Sequence, residues 1–129
     1  MTFHVERIDH VVLRVRDQPA MVRFYEQALG FKVERRLDRI SLVQLRAGAS
    51  LLDLVPAERV PDGPNMDHLC FRVEPFDRDA IVTRLAPFGI SVGETVERYG
   101  AEGTGPSVYF HDPEGNQIEL KGPAARIPS

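Results

Sequence analysis

Asp9-His10-Val11-Val12-Leu13-Arg14-Val15 returns 58 positions on as Asp67-His68-Leu69-Cys70-Phe71-Arg72-Val73, with Asp, His, Arg and the closing Val unchanged. Internal repetition resets every later assignment, so it is read first. The echo continues in order. Leu29-Gly30-Phe31 recurs as Phe88-Gly89-Ile90 at an offset of 59, and Leu52-Asp53-Leu54 as Ile118-Glu119-Leu120 at 66. Drift of that size is what loop insertions produce. The chain therefore reads as one domain of two modules, about 5–60 and 65–122, with a linker near 56–64. There Pro56, Pro61, Asp62, Gly63 and Pro64 supply turn chemistry and forbid regular structure.

Each module is expected to open with a strand, at 8–15 and 66–73, where β-branched and aromatic residues alternate with polar ones. A helix should follow. In the first module Asp17 can cap it, Pro19 suits its first turn, and Met21, Phe24, Tyr25, Ala28 and Leu29 fall on one face before Gly30 ends it. In the second, Asp77 caps, Ile81, Leu85 and Phe88 form the stripe, and Pro87 ends the helix by Ala86. Three strands complete each module, at 31–38, 40–47 and 49–56, then at 90–98, 106–112 and 116–122. The last two are joined by the turn Asp112-Pro113-Glu114-Gly115. The fold class is α+β, two βαβββ modules related by pseudo-twofold symmetry, forming a curved mixed sheet around a cavity.

Alternation along a strand sorts its side chains. Val11, Leu13 and Val15 pack on the first helix, leaving His10, Val12 and Arg14 on the other face. Leu69, Phe71 and Val73 do the same in the repeat and leave His68, Cys70 and Arg72. Ile118 and Leu120 place Gln117, Glu119 and Lys121 on the open side, and Leu52 and Leu54 place Asp53 there. Equivalent positions converge if the modules pair about a twofold axis. Two imidazoles with one or two carboxylates form a divalent-metal set, with His10, His68 and Glu119 as ligands and one Zn, Ni, Fe, Co or Mn ion as the cofactor. Such a set keeps positions open for a substrate oxygen, which the ion polarises.

Composition removes other classes. Sixteen basic residues against nineteen acidic ones give a formal charge of −3 with no basic stripe, so no nucleic-acid partner is expected. No apolar run approaches the ~18 residues of a spanning helix, and no secretory leader opens the chain, so no membrane association is expected. The single cysteine, Cys70, excludes an internal disulfide and fits a reducing compartment. A cytoplasmic location follows as an expectation.

The quoted residues resemble the vicinal oxygen chelate superfamily, the group of glyoxalases, bleomycin-resistance proteins and extradiol dioxygenases. The resemblance rests on four stretches: Ile8 to Leu13; Phe24-Tyr25 with Leu29-Gly30-Phe31; Met66 to Phe71; and Ser107 through Asp112-Pro113-Glu114-Gly115-Asn116-Gln117-Ile118-Glu119-Leu120. It implies paired βαβββ modules, a homodimer, and a metal held by His10, His68 and Glu119. Asp53 matches a fourth acidic ligand of glyoxalase-type members. The implied activity is that of a lyase or isomerase acting next to a carbonyl on a small-molecule substrate. A metal-stabilised enediolate forms there while Glu119 or Asp53 shuttles the proton. Fosfomycin thiol transferases resemble the chain at Ser107-Val108-Tyr109-Phe110, which implies that Ser107 and Tyr109 face the cavity, but those proteins carry threonine where this chain has Val12. A ring-cleaving extradiol dioxygenase and a non-catalytic, antibiotic-sequestering binder are the alternatives.

Arg14 and Arg72 share parity with the histidines and can receive an anionic substrate through paired hydrogen bonds, although arginines at strand ends more often sit in salt bridges. Tyr99 to Gly105, Tyr-Gly-Ala-Glu-Gly-Thr-Gly, reads as a glycine-rich loop serving as a mobile lid.

Overall fold

The computed structural model describes residues 3–57 and 64–125. The expected linker thus lies largely outside the described residues. Eight strands and two α-helices run in the order β1 His4–Val15, α1 Gln18–Leu29, β2 Lys32–Leu37, β3 Leu42–Ala47, β4 Ser50–Pro56, β5 Met66–Glu74, α2 Arg78–Leu85, β6 Val96–Gly100, β7 Gly103–His111, β8 Gln117–Lys121. The chain divides into two compact units, His10–Asp67 and Met1–Asp9 with His68–Ser129, so β1 contributes to both. The α+β class and the β-α-β-β-β plan of each module are those expected from the repeat. No helix among the described residues is long and apolar enough to cross a membrane.

In the unit His10–Asp67 the strands lie in the order β2-β3-β4-β1, with β1 parallel to β4 and the other pairs antiparallel. Its core is Val15, Val22, Val43, Leu45 and Leu54, with Leu13, Met21, Tyr25, Phe31, Val33 and Leu52 packed around it. The other unit repeats the arrangement as β5-β8-β7-β6, with β5 parallel to β8. There Phe3, Val73, Ile81, Val108, Ile118 and Leu120 form the core. Leu13 and Val15, Leu69, Phe71 and Val73, and Ile118 and Leu120 all lie on the helix side, as their parity requires.

Both helices begin on a carboxylate. Asp17 accepts from the Ala20 amide at 3.0 Å and Asp77 from the Ala80 amide at 3.3 Å. Gly30 ends α1 in the left-handed region (φ 74°), where a Cβ would be strained. Pro87 stops the α-helical pattern at Leu85, and Ala86–Phe88 continue as a single 3-10 turn.

Three expectations need correction. The α1 stripe is narrower than its sequence pattern: Val22 is the buried residue, while Phe24 and Leu29 are exposed. In the second module Phe88 leaves the core, because the 3-10 turn rotates it out of phase with Ile81 and Leu85. Residues 90–95 are not strand; β6 starts only at Val96.

Tyr99 to Gly105 is likewise a hairpin and not a lid. β6 and β7 pair from Val96↔Ser107 to Gly100↔Gly103. Its turn is tied down, since Asp9 Oδ2 accepts from the Ala101 amide at 3.0 Å and Glu102 pairs with both Arg7 and Arg72. Glycine is required here by space. A Cβ on Gly100 would stand 2.4 Å from Asp9 Oδ2 and 2.6 Å from Lys121 Cε.

Two predictions test this packing. Leu54→Ala should lose about 2–5 kcal/mol of stability, the cost of a cavity in a site with no exposure, whereas Leu29→Ala should change it by less than about 0.5 kcal/mol. Urea denaturation reads both. The β7–β8 turn is held by Asp112, whose carboxylate accepts from Asn116 Nδ2 and from the Asn116 and Glu114 amides, each at 2.9 Å. The Asn116 side-chain bond above all holds this carboxyl below the ordinary range. A depressed value means that the turn's contribution is complete above the ordinary carboxylate range and is lost as pH falls through the folded value. Asp112→Ala should lower the melting temperature at neutral pH, and the gap from wild type should close in acid.

Candidate functional site

Glu119 on β8 has no exposure to solvent, and the two flanking strands bring polar side chains to it. β8 lies between β5 and β7, in register Cys70↔Glu119 and Tyr109↔Glu119. The Ser107 hydroxyl donates to Oε2 at 2.6 Å. His68 Nε2 stands 3.2 Å from Oε1. Tyr109 stands opposite Glu119 in the ladder and sets its ring edge-on to the imidazole at 5.7 Å. Cys70, fully buried beside Glu119, fills the wall.

The Tyr109 phenol is pushed up to about 12, first by burial and then by the negative charge of Glu119, against the opposing charge of Arg98. Arg98 Nε donates to the phenol oxygen at 3.2 Å. Tyr109 is thus a neutral donor throughout the physiological range.

The donor set fits a divalent ion. Two ligand atoms bonded at about 2.1 Å to one cation stand about 3.0 Å apart at a right angle and about 3.4 Å apart at the tetrahedral angle. The His68–Glu119 separation lies inside that interval.

The other unit carries the corresponding residues on its own helix-averted face. His10 is buried on β1 in register with Leu51, and Val12 stands opposite Asp53 on β4. Asp53 is buried and accepts from Gln44 Nε2 at 3.0 Å across the β3–β4 ladder. The two arginines are engaged within the protein. Arg14 pairs with Asp67 and donates to the Pro64 carbonyl at 3.1 Å. Arg72 is shared between Glu74, Glu102 and the Val73 carbonyl.

Sequence reasoning gave no role to Gln44 or to Lys121. Gln44 had a legible signal, a polar residue between the two core residues Val43 and Leu45, which puts it on the face of Asp53. Lys121 shares parity with Glu119 but looks like an ordinary strand-end lysine; in the structure it is 1% exposed.

Residues 7–120 match the model of the Glyoxalase/Bleomycin resistance protein/Dioxygenase superfamily, and the chain belongs to that family. It is 36% identical over 122 residues to Virulence protein STM3117 of Salmonella typhimurium, covering 90% of this chain and 83% of that one. Methylmalonyl-CoA epimerase from Mycobacterium tuberculosis superposes with a TM-score of 0.67 at 25% identity, covering 94% of this chain and 90% of that one. The Mn(II)-bound glyoxalase from Novosphingobium aromaticivorans gives 0.73 at 25% identity, covering 95% of this chain and 40% of that one.

At pH 10 an exposed phenol is about half ionised, whereas Tyr109 should remain un-ionised. Ultraviolet difference absorbance of chelator-treated protein at that pH should show equal phenolate in wild type and Tyr109→Phe. A smaller signal in the variant would place the ionisation too high here.

Proposed function

We propose that the protein is a metal-dependent enzyme of glyoxalase-like type that moves a proton next to a carbonyl of a small molecule, as a lyase or isomerase. In this reading His68 and Glu119, with His10, hold one divalent cation. The observation that carries it is the His68–Glu119 pair, two donors 3.2 Å apart with the carboxylate fully buried and braced by Ser107. Kinship with a family that includes a Mn(II)-bound glyoxalase and a methylmalonyl-CoA epimerase supports it.

The bound ion would supply Lewis acidity, polarising the substrate carbonyl and making the adjacent C–H more acidic. The chain's own groups do the rest. Ser107 fixes one oxygen of Glu119, so the carboxylate cannot rotate as substrate enters. Tyr109, un-ionised, offers its hydroxyl to the oxygen on which negative charge develops. Glu119 or Asp53 takes the proton from carbon and returns it, and the Gln44 bond holds Asp53 in one orientation for that task. Burial keeps bulk water from competing for the proton.

The test combines metal analysis with proton exchange. Protein purified without chelator should hold about one divalent ion per chain, and His68→Ala should remove it while circular dichroism stays unchanged. Glu119→Gln should cut deuterium exchange at the carbon next to the carbonyl, in a panel of 2-oxoaldehyde adducts and acyl thioesters, by at least about 100-fold. Protein that takes up no ion and exchanges none of these substrates is instead a binder that sequesters its ligand. Oxygen uptake with catechols and ferrous iron would mark a dioxygenase.

A further inference from the structure

Fourteen of the chain's sixteen basic residues are arginines; the two lysines are Lys32 and Lys121. Lys32 is exposed on β2, whereas Lys121 is among the largest fully buried side chains of the protein. Its Nζ has no hydrogen-bond partner among the described residues. Three donors on a buried ammonium, none used among the described residues, are costly unless an acceptor beyond those residues receives them.

The surroundings are built for this side chain. Lys121 ends β8 on the face of Glu119, opposite Arg72 on β5 and Ser107 on β7. Its stem crosses Gly100, where a Cβ would come within 2.6 Å of Cε and 2.8 Å of Cδ. Its ammonium stands over Gly105, where a Cβ would come within 2.9 Å of Nζ. Two glycines therefore keep a groove clear for one lysine. A guanidinium is planar and broader than an ammonium, which sits on a slender chain and acts as a point donor. Its neighbours make their hydrogen bonds elsewhere, and the Asp9 carboxylate borders the same Gly100 position as the lysine stem. Arg72 is taken up by Glu74 and Glu102, Asp9 Oδ2 accepts from the Ala101 amide, and Ser107 is committed to Glu119. The Pro123 carbonyl lies beside the same glycine without bonding to Nζ.

We propose that Lys121 is a carboxylate-binding residue, and that the substrate of this site is a small organic acid whose carboxylate the ammonium receives. A single cation with no second unpaired one beside it matches a monoanion and not a phosphate dianion. The proposal deepens the enzymatic reading above, since it names the substrate class of that same face, but it concerns a contact that needs neither the metal nor the proton transfer.

With only two lysines, 15N,13C-lysine-labelled protein gives two side-chain signals, and Lys32 serves as internal control. Chelator-treated protein is titrated with acetate, propionate, succinate and pyruvate, and with acetamide and propionamide as uncharged matches. At least one carboxylate should shift the Lys121 signal saturably, with the amides and Lys32 silent. Lys121→Met should weaken that carboxylate's binding by at least about tenfold in calorimetry, and Lys121→Arg should not restore it. A Lys121 signal that no carboxylate moves would overturn the proposal and leave an internal water as the acceptor, whether or not Lys121→Met folds. The enzymatic reading fails separately. If Lys121 binds carboxylates but the metal-loaded protein exchanges no proton, the proposed reaction is wrong and the subsite stands; exchange without a Lys121 shift is the reverse.

Discussion

A carboxylate removed from water has to be given back, by the protein, the hydrogen bonds it lost, and at Glu119 that requirement organises one whole unit of the molecule. A single unpaired carboxylate in such a place would cost several kcal/mol. Glu119 offsets part of that cost because β8 is central between β5 and β7, so the Ser107 hydroxyl reaches it from one side and the His68 imidazole stands beside it from the other. Ser107 and Tyr109 sit two residues apart on β7, hence on one face; Ser107 donates to the carboxylate and Tyr109 stands opposite it in the ladder. A one-residue slip of β7 would turn both away and put Val108, now in the core, against the charge. Register and site are therefore one constraint.

The same reasoning explains the hairpin that follows β6. Its turn carries no large apolar residue, yet it is held by a chain of charges running Arg7–Glu102–Arg72–Glu74, with Asp9 fixing the Ala101 amide. Burial of Arg72 works against its charge, but hydrogen bonds to Glu74 and Glu102 more than offset it, and the guanidinium is held above its ordinary range. Glu102 is correspondingly held low by Arg72 and Arg7 against its own desolvation. Glycines in this stretch signify close packing beneath the strands. In the sequence they are indistinguishable from glycines that signify mobility, which is why Tyr99 to Gly105 reads as a lid when only composition is considered.

Much of the fold was legible because duplication doubles every signal. The Asp-His strand, the capped helix and the acidic final strand each occur twice, and parity within them assigned Leu13 and Val15, and Ile118 and Leu120, to the core. Legibility failed where one residue's fate depends on local geometry. Phe88 fits a helical stripe, but Pro87 converts the last turn to 3-10 and the ring swings outward. Lys121 was placed on the right face, yet nothing in Glu-Leu-Lys-Gly says that two glycines on other strands have cleared a groove for it. Arg14 and Arg72 carried the opposite ambiguity: their faces were readable, while the acids that occupy them, Asp67, Glu74 and Glu102, become partners only in three dimensions.

Comparing the modules residue by residue shows what duplication preserved and what it released. Each holds a carboxylate on its last strand with a cross-strand partner at the same ladder position: Gln44 opposite Asp53, and Tyr109 opposite Glu119. Each partner carries a hydrogen-bond donor, engaged with the acid at Gln44, and neither an amide nor a phenol pushed up to about 12 loses its proton near neutrality. What differs is reach and rigidity. An amide is nearly fixed once one N–H is engaged, whereas a phenol keeps its ring against His68 and can redirect its hydroxyl. The conserved element of the repeat is therefore the pairing of a buried acid with a non-titrating donor, and the divergent element is which donor. Chemical asymmetry within a duplicated scaffold arises at those two positions without any change in the sheet that presents them.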